Sequence, residues 1–343
     1  MSELVIAFDV GGTNTRARVA VVAGVGEPLL AVPDITRCVA SARELREFVS
    51  QVAATAGRLG TVTAAVVAVA GPVVGERIRL TNWPSDTAIT LDELEAAGLP
   101  SGRTQLINDA VAGAWGAGAR LSSAGPAGGT HPLNTVPGGA AALREGNIVY
   151  VAPGTGLGEA VLVRHGLGPH DATVVAGEFQ HTQIPCFEGE TGRVVDALAV
   201  ALGRAPDWED LVSGRGLVRT YYALCAIAAA EPLVITGDDA KRAGGIADAA
   251  RAGTDAQALA ASNVFYRVLG RFAQTLALAF LPCAAVVIGG ASTERNLELL
   301  RRGRLTQRFT EHHRFGDLLG EVPLHAVGGE VNLEGGVWLA ARR

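Results

Sequence analysis

The sequence has few cysteines, no excess of positive charge and no long apolar run, and each shortage excludes a class of protein. The four cysteines, Cys38, Cys186, Cys225 and Cys283, are scattered without a Cys-x-x-Cys pair, so they indicate neither a zinc site nor a disulfide framework. Lysine and arginine together number 29 against 34 aspartates and glutamates. The resulting net charge of −5, without a basic stripe, disfavours nucleic acid as a partner.

The apolar segments predict a cytoplasmic protein that has no membrane partner. The longest of them, residues 276–288, is interrupted by Pro282 and is too short to span a bilayer. The amino terminus, MSELVIAFD, carries an acid and breaks after five apolar residues, so it does not resemble a signal peptide. An apolar fraction of 48% excludes a disordered chain, and 343 residues suit one large domain or two of ordinary size.

Local periodicity predicts an α/β protein. The predicted helices cover residues 41–59, 90–97, 110–121, 191–202, 208–211, 213–230, 255–281 and 332–343. Buried strands alternate with these helices, which is typical of an α/β domain rather than of a β-sandwich. Residues 122–146 are rich in Gly, Ala, Pro and Ser and are predicted to form a long surface loop.

The first strand ends in a carboxylate and a glycine turn. Residues 4–9 are an apolar run closed by Asp9, and residues 15–22 alternate as in a second strand. The turn between them contains Gly11, Gly12, Thr13 and Asn14. Its backbone N–H groups can converge on an anion, and Asp9 is placed to hold a hydrated cation beside it. Phosphate with Mg²⁺ is therefore one hypothesis, and an ordinary hairpin is the other.

The same device occurs a second time. Residues 147–152 form a strand, residues 159–164 form another, and the turn between them contains Gly154, Thr155 and Gly156. The turn does not match Gly-x-Gly-x-x-Gly, and no Gly-Lys-Ser/Thr occurs in the chain, so neither a dinucleotide fingerprint nor a Walker A loop is indicated. Two such turns 143 positions apart suggest a duplicated plan that holds a chain of phosphates from both sides.

Three further positions have a chemical and a structural interpretation. Asn108-Asp109 ends a strand where a helix begins, so Asp109 serves as a helix cap, a general base or both. Glu178 and His181 offer donors and acceptors for a polyhydroxy ligand, or belong to a surface loop after a strand. Gly289-Gly290 follows a buried strand and would let a flat ring approach the backbone, or is a plain strand–helix turn.

In this order the motifs resemble those of the bacterial glucokinases of the zinc-independent type, within the superfamily of actin, sugar kinases and heat-shock chaperones. The resemblance runs nearly from end to end. The matching segments are residues 9–14 and 153–158 (first and second phosphate loops), 80–83 (a sugar-side turn), 108–109 (sugar and base pair) and 211–217 (a helix start after a sugar-binding acid). It implies a two-lobed, actin-like (ribonuclease H-like) fold with a duplicated βββαβα-type core and a cleft. Residues 1–111 and 330–343 would form the small lobe, and residues 112–329 the large one.

The resemblance also implies ATP-dependent phosphorylation of the primary hydroxyl of a hexose. Asp109 would be the base, and Asp9 would position Mg²⁺. The implied sugar ligands are Asn82, Asn108, Asp109, Glu178, His181 and Glu209. The implied ATP contacts are Asp9, Gly11, Gly12, Thr13, Asn14, Gly154, Thr155, Gly156, Gly289 and Gly290. A homodimer is the expectation for the family.

One departure concerns residues 177–181, which we call the sugar loop. The family usually has Gly-Gly between the glutamate and the histidine, whereas this chain has Phe179-Gln180. Bulkier residues beside the pocket would reshape it, so an amino sugar or cyclitol is an alternative acceptor to glucose. A regulator that keeps the ATPase fold, or a sugar sensor without turnover, are further alternatives, and the intact candidate base and sugar ligands argue against the regulator.

Overall fold

The first half of the chain builds a mixed sheet flanked by helices. A computed structural model describes residues 2–11, 14–22, 29–80, 83, 86–122, 129–136, 145–166, 171–290, 292–302 and 304–342. The elements of the first half are β1 (Glu3–Val10), β2 (Thr15–Val21), β3 (Leu29–Leu30), β4 (Ile35–Arg37), α1 (Ala42–Gly57), β5 (Thr61–Val69), β6 (Val73–Val74), β7 (Arg77–Arg79), β8 (Ala88–Thr90), α2 (Leu91–Ala96), β9 (Thr104–Asn108) and α3 (Asp109–Ser122).

The second half repeats this pattern and adds a group of helices. Its elements are β10 (Thr130–Pro132), β11 (Asn147–Pro153), β12 (Leu157–Arg164), β13 (Ala172–Ala176), a 3₁₀ turn (Phe179–His181), α4 (Gly189–Leu202), α5 (Gly214–Ala228), α6 (Asp239–Ala252), α7 (Ala256–Ala279), β14 (Cys283–Ile288), α8 (Leu297–Arg302), α9 (Leu305–Thr310), α10 (Gly316–Gly320), β15 (Leu324–Val327) and α11 (Val331–Ala341). No helix among the described residues is both long and apolar enough to cross a membrane.

The two main sheets have the same connectivity. In the first, the order is β3-β2-β1-β5-β9, with β1 antiparallel to β2 and parallel to β5. In the second, the order is β10-β15-β14-β11-β12-β13, with β11 antiparallel to β12 and parallel to β14. The hairpin β1–β2 therefore corresponds to β11–β12. This topology confirms the duplicated α/β core that the two glycine turns predicted.

The helices α3 and α11 lie between the sheets, and α11, at the carboxyl end of the chain, packs against β1 at the amino end. Apolar residues of α3 such as Ala114 pack against β11 and β12, while Leu333 and Val337 of α11 pack against β1 and β5. α3 and α11 also contact each other closely, because both carry glycines at the contact. Since α3 begins at Asp109, this layer fixes the predicted base relative to both sheets.

Most predicted elements are confirmed, and three sequence interpretations are corrected. Ser41 caps α1, and Thr90 with Glu93 forms a capping box at α2. Residues 208–211 are a turn rather than a helix, because the carboxylate of Asp210 accepts the N–H of Asp207 and the guanidinium of Arg204. The predicted loop at 122–146 contains an edge strand, β10, which pairs with β15. The helix α6 was not predicted.

Candidate active site

The carboxylate of Asp9 lies near the end of β1, where α11 contacts the first sheet. Its Oδ1 accepts a hydrogen bond of 3.3 Å from Nδ2 of Asn332. Burial raises the pKa of Asp9, while the Asn332 bond and the charge of Arg16 oppose that rise. Arg16 is itself paired with Glu330 at 2.6 Å. The half-buried carboxylate of Asp9 thus lies beside the predicted phosphate turn, held by Asn332. Arg16 balances only part of its negative charge, because Arg16 is also paired with Glu330.

Asp109 is the first residue of α3. The N–H of Ala110 is shared by Oδ1 of Asn108 and Oδ1 of Asp109, at 2.8 and 2.9 Å, so the two residues together cap the helix. Nδ2 of Asn108 donates to the carbonyl of Gly71 at 2.9 Å. The bond from Ala110 uses Oδ1 of Asp109, so the second oxygen is not needed for this capping contact and the two interpretations of the residue are compatible.

Burial and two neighbouring carboxylates act on Asp109. Burial is the larger cause and, with the charges of Asp9 and Glu178, it raises the pKa of Asp109 to about 6, although backbone N–H groups lower it in part. Two acids from segments far apart in sequence therefore lie near enough to Asp109 for their charges to act on it. A carboxylate with a pKa near neutrality is suited to accept a proton from a hydroxyl group.

The donor set at this point fits a single hydrated Mg²⁺ and not a metal cage. Among the described residues, no group of three or more His, Cys, Asp or Glu side chains could hold a metal ion. Mg²⁺ commonly binds one or two carboxylates, substrate phosphates and water. Asp9 meets that requirement, since its charge is only partly balanced and it lies beside the first glycine turn.

A buried acid holds the sugar loop in place. Glu159, on β12, is only 4% exposed, and its Oε1 accepts the N–H of Phe179 at 2.7 Å. Burial raises the pKa of Glu159, whereas the N–H groups of Phe179 and Gln180 lower it. A Cβ at Gly177 would lie 2.7 Å from the same oxygen, so only glycine lets the loop approach so closely. The sequence gives one signal of this contact, which is an acid within the apolar strand at 157–164.

The side chains of Phe179 and Gln180 have separate roles. The ring of Phe179 packs with Trp208 and Phe272, at centroid distances of 6.5 and 5.9 Å, and so joins the aromatic part of the core. The amide of Gln180 is buried and donates to Oε2 of Glu178 at 2.5 Å. The predicted crowding by Phe179 therefore has no basis in the position of its ring, whereas Gln180 engages one oxygen of a predicted sugar ligand.

The other predicted sugar ligands, His181 and Glu209, already contact other side chains or the backbone to different extents. Nε2 of His181 lies 3.6 Å from Oε2 of Glu178, and its Nδ1 lies 3.6 Å from Oδ2 of Asp207. Oε2 of Glu209 accepts the N–H of Leu157 at 3.0 Å, and its Oε1 accepts from Arg215 at 3.1 Å. Glu209 thus ties the second glycine turn to the segment beside the sugar loop. Sequence reasoning missed Asp207, Glu159 and Asn332 as parts of the site.

The second glycine turn lies against the start of a long helix. The N–H of Gly214, in the first turn of α5, donates to the carbonyl of Gly154 at 2.8 Å, and Ser213 caps that helix. The N–H of Gly154 donates to the carbonyl of Gly156 at 2.7 Å. Thr155 is exposed at the tip. A helix N-terminus beside a glycine turn concentrates backbone N–H groups, which suits an anionic ligand.

A cavity of about 310 Å³ opens next to this turn. Its walls include Thr155, Ala247 of α6, Phe265 of α7 and Asn296, and they are mainly apolar. Gly289 and Gly290 do not line it. A Cβ at Gly289 would lie 2.3 Å from Oη of Tyr150, and one at Gly290, whose φ is +102°, would lie 2.4 Å from the carbonyl of Pro153. The pair therefore packs the end of β14 against the second turn, behind the cavity.

Of the residues predicted to form the first phosphate turn, the structure describes Gly11 and Asn14. The N–H of Gly11 donates to the carbonyl of Asn14 at 3.1 Å, and Oδ1 of Asn14 accepts from Sγ of Cys38 at 3.4 Å. Gly12, Thr13 and Asn82 lie outside the described residues.

Comparisons with known proteins agree with one another. The family model described as Glucokinase matches residues 6–342. The glucokinase of Chromobacterium violaceum is 30% identical over 93% of this chain and 84% of its own length. That of Stenotrophomonas maltophilia is also 30% identical, over 95% of this chain and 91% of its length. Among solved structures, the glucokinase of Balamuthia mandrillaris in complex with glucose superposes with a TM-score of 0.78 at 26% identity, covering 100% of this chain and 94% of that one.

Proposed function

Because the chain belongs to the glucokinase family, we propose that it transfers the γ-phosphoryl group of ATP to the primary hydroxyl of glucose. The predicted family and the ATP-dependent sugar kinase class are confirmed by the family match, and the sugar kinase fold by the superposition on a solved glucokinase. The observation that carries the proposal is the carboxylate of Asp109 at the start of α3, whose pKa is raised to about 6 by burial and by the charges of Asp9 and Glu178.

In the proposed reaction the protein acts mainly by positioning. Asn108, Glu178 and His181 hydrogen-bond the sugar hydroxyls, and Asp109 accepts the proton of the primary hydroxyl as it attacks phosphorus. Backbone N–H groups of both glycine turns contact the phosphates. Bound beside Asp9, Mg²⁺ would neutralise charge on the phosphate oxygens. Glu209 acts one step away from the sugar, because its carboxylate holds the second turn and its own N–H donates to the carbonyl of Gln180 at 3.3 Å.

The proposal includes movement of two lobes. The small lobe would consist of residues 1–111 and 330–343, and the large lobe of residues 112–329. Closure would exclude water from the phosphates and so limit hydrolysis of ATP. We further propose a cytoplasmic homodimer. Light scattering after size exclusion would support the dimer by a mass twice that of the chain and refute it by the mass of one chain.

A coupled assay of ADP release tests the reaction. The purified chain with Mg-ATP is offered glucose, mannose, glucosamine, fructose and cyclitols, and we expect the highest kcat/KM with glucose. Faster turnover of an amino sugar or cyclitol would keep the kinase and change the acceptor. If ATP binds but no acceptor releases ADP, the kinase proposal fails and the regulator or sensor interpretation replaces it.

Glu159→Gln is expected to raise the KM for the sugar about tenfold or more, with a smaller change in kcat, because the loss of one charge-assisted hydrogen bond is worth roughly 1.5–3 kcal/mol. The carboxylate accepts N–H groups of the sugar loop, whereas an amide at this place has no charge, keeps one acceptor oxygen and replaces the other by a donor. The KM for ATP should stay unchanged, since the contact lies outside the nucleotide cavity.

The matched control for Glu159 is Glu231→Gln, which neutralises an exposed glutamate. Steady-state kinetics with both substrates varied, together with a thermal melt, separates the two variants. An unchanged sugar KM in Glu159→Gln would show that the loop keeps its geometry without this acceptor. A merely structural role would lower the melting temperature and leave the sugar KM of the folded enzyme unchanged.

A further inference from the structure

A second cavity, with polar walls, lies between α7 and α9 in the second half of the chain. Its volume is about 190 Å³. It is lined by Arg267, Arg304, Gln307, Arg308 and Glu311. None of these residues borders the 310 Å³ cavity or belongs to the sugar loop.

The two helices bring two pairs of arginines together. Arg267 and Arg271 are four residues apart on α7, and Arg304 and Arg308 are four residues apart at α9, so each pair lies on one face. The helices approach closely because α7 has Gly270 at the crossing, where a Cβ would lie 2.4 Å from the carbonyl of Leu305. The packing of the two helices therefore holds these positive charges close together, although they repel one another.

The charges of this cluster are not balanced. Glu311 accepts a hydrogen bond of 2.9 Å from Arg308, and Arg304 donates to the side chain of Gln307 at 2.8 Å. Arg267 is in no ion pair within 4.0 Å among the described residues, and the nearby acid on which its charge acts is the same Glu311. The Nε atoms of Arg308 and Arg271 are buried and have no hydrogen-bond partner there. Glu311 is thus the one carboxylate in a lining with three arginines, and two buried donors of the described residues are unsatisfied.

The cluster is held rigidly before any ligand arrives. Gln274, on α7, is 1% exposed, and its Nε2 donates to the carbonyls of Phe309 and Glu311 at 2.7 and 3.1 Å, at the end of α9. Its Oε1 accepts from Arg271. The same buried amide therefore fixes an arginine of one helix and the end of the other, so the backbone that carries the cavity-lining side chains is already in place.

We propose that this cavity binds the phosphoryl group of a small molecule, either inorganic phosphate or a phosphate ester. Guanidinium groups match the oxygens of phosphate with paired N–H donors, and three of them line the cavity. An anion there offsets the repulsion of the arginines. The site is separate from the ATP and sugar positions and does not depend on the proposed function.

Calorimetric titration of the whole chain tests the site, with a saturating non-hydrolysable ATP analogue present to occupy the catalytic cleft. The three titrants are inorganic phosphate, pyrophosphate and glucose 6-phosphate, which separates a free anion from an ester. We expect the wild-type chain to bind at least one of them. In Arg267→Gln/Arg304→Gln the Kd should rise at least about tenfold, because two charged contacts are lost.

Arg301→Gln is the matched control, since it removes one charge from an exposed arginine on the neighbouring helix α8. It should retain the wild-type Kd. If the double variant does not fold, Arg304→Gln alone replaces it, because Arg304 is exposed. The proposal is overturned if the wild type binds none of the titrants, or if the control and the cavity variants bind equally well.

Discussion

Asp109→Asn is expected to lower kcat by a factor of roughly 10²–10⁴, the usual contribution of a general base. Asparagine keeps the shape of the side chain and the acceptor for the N–H of Ala110, so α3 should begin as before. It cannot take a proton from the primary hydroxyl. For the wild type, kcat/KM should rise with pH through an apparent pKa of about 6, and the variant should lose this step.

The same substitution is expected to stabilise the folded chain at neutral pH. The pKa of Asp109 is about 6 when folded, against 3.8 for an unperturbed aspartate, so ionisation costs more in the folded state. Below pH 4 both states hold the proton and the cost is absent; it grows between pH 4 and 6 and is complete above. Removing it is worth at most about 3 kcal/mol at pH 7.

Urea unfolding at pH 4 and pH 7 measures this gain, and Asp196→Asn provides the control because Asp196 is exposed on α4. The advantage of Asp109→Asn should be largest at pH 7 and mostly lost at pH 4, close to the unfolded pKa of 3.8, whereas the control should change neither stability nor kcat. Full activity of Asp109→Asn would exclude Asp109 as the base. A loss of stability at pH 7 would show that the carboxylate is stabilised by contacts that outweigh its burial.

The parts of the site that depend on local patterns were predictable. A buried strand, a carboxylate and a glycine turn are adjacent in sequence, so Asp9 and Gly154 could be placed at the ends of β1 and β11 from their neighbours alone. The repetition of the turn then predicted the duplicated sheets, because equivalent hairpins need equivalent neighbouring strands. Asp109 could be placed at a helix start but not assigned one of its two roles.

Contacts between distant segments could not be predicted in this way. Glu159 looks like a misplaced charge in an apolar strand until the loop at Phe179, 20 residues later, is folded against it. The amide of Asn332 meets Asp9 across 323 positions. Such pairs depend on strand register and helix packing, which a single sequence does not encode in any local pattern.

Side-chain direction shows what the sequence alone could not say about the sugar loop. Phe179 and Gln180 replace two glycines of the family pattern, so their bulk suggested a reshaped pocket. The backbone turn at Phe179–His181 sends the ring of Phe179 towards Trp208 in the core and leaves the amide of Gln180 beside Glu178. Composition reports the volume of a residue and not the direction in which it points.

Gly335→Ala is expected to lower the free energy of unfolding by roughly 3 kcal/mol or more, because added volume at a close backbone contact cannot be absorbed. A Cβ at Gly335, on α11, would lie 1.8 Å from the carbonyl of Ala112 on α3. The contact is reciprocal, since a Cβ at Gly116 would lie 2.1 Å from the carbonyl of Val331. Backbone atoms on both sides leave no flexible side chain that could move away.

The control is Gly57→Ala, at the end of α1, where an added Cβ meets nothing within 4 Å. This change should stabilise the chain by about 0.5–1 kcal/mol, because alanine loses less backbone freedom on folding. Thermal and urea unfolding of the two variants should therefore shift in opposite directions. Similar shifts would mean that α3 and α11 leave room for an added methyl group at their contact.

The packing of these two helices should also affect activity. Asp109 begins α3, and Asn332 of α11 donates to Asp9. Folded Gly335→Ala should therefore have a lower kcat, whereas Gly57→Ala should keep the wild-type value.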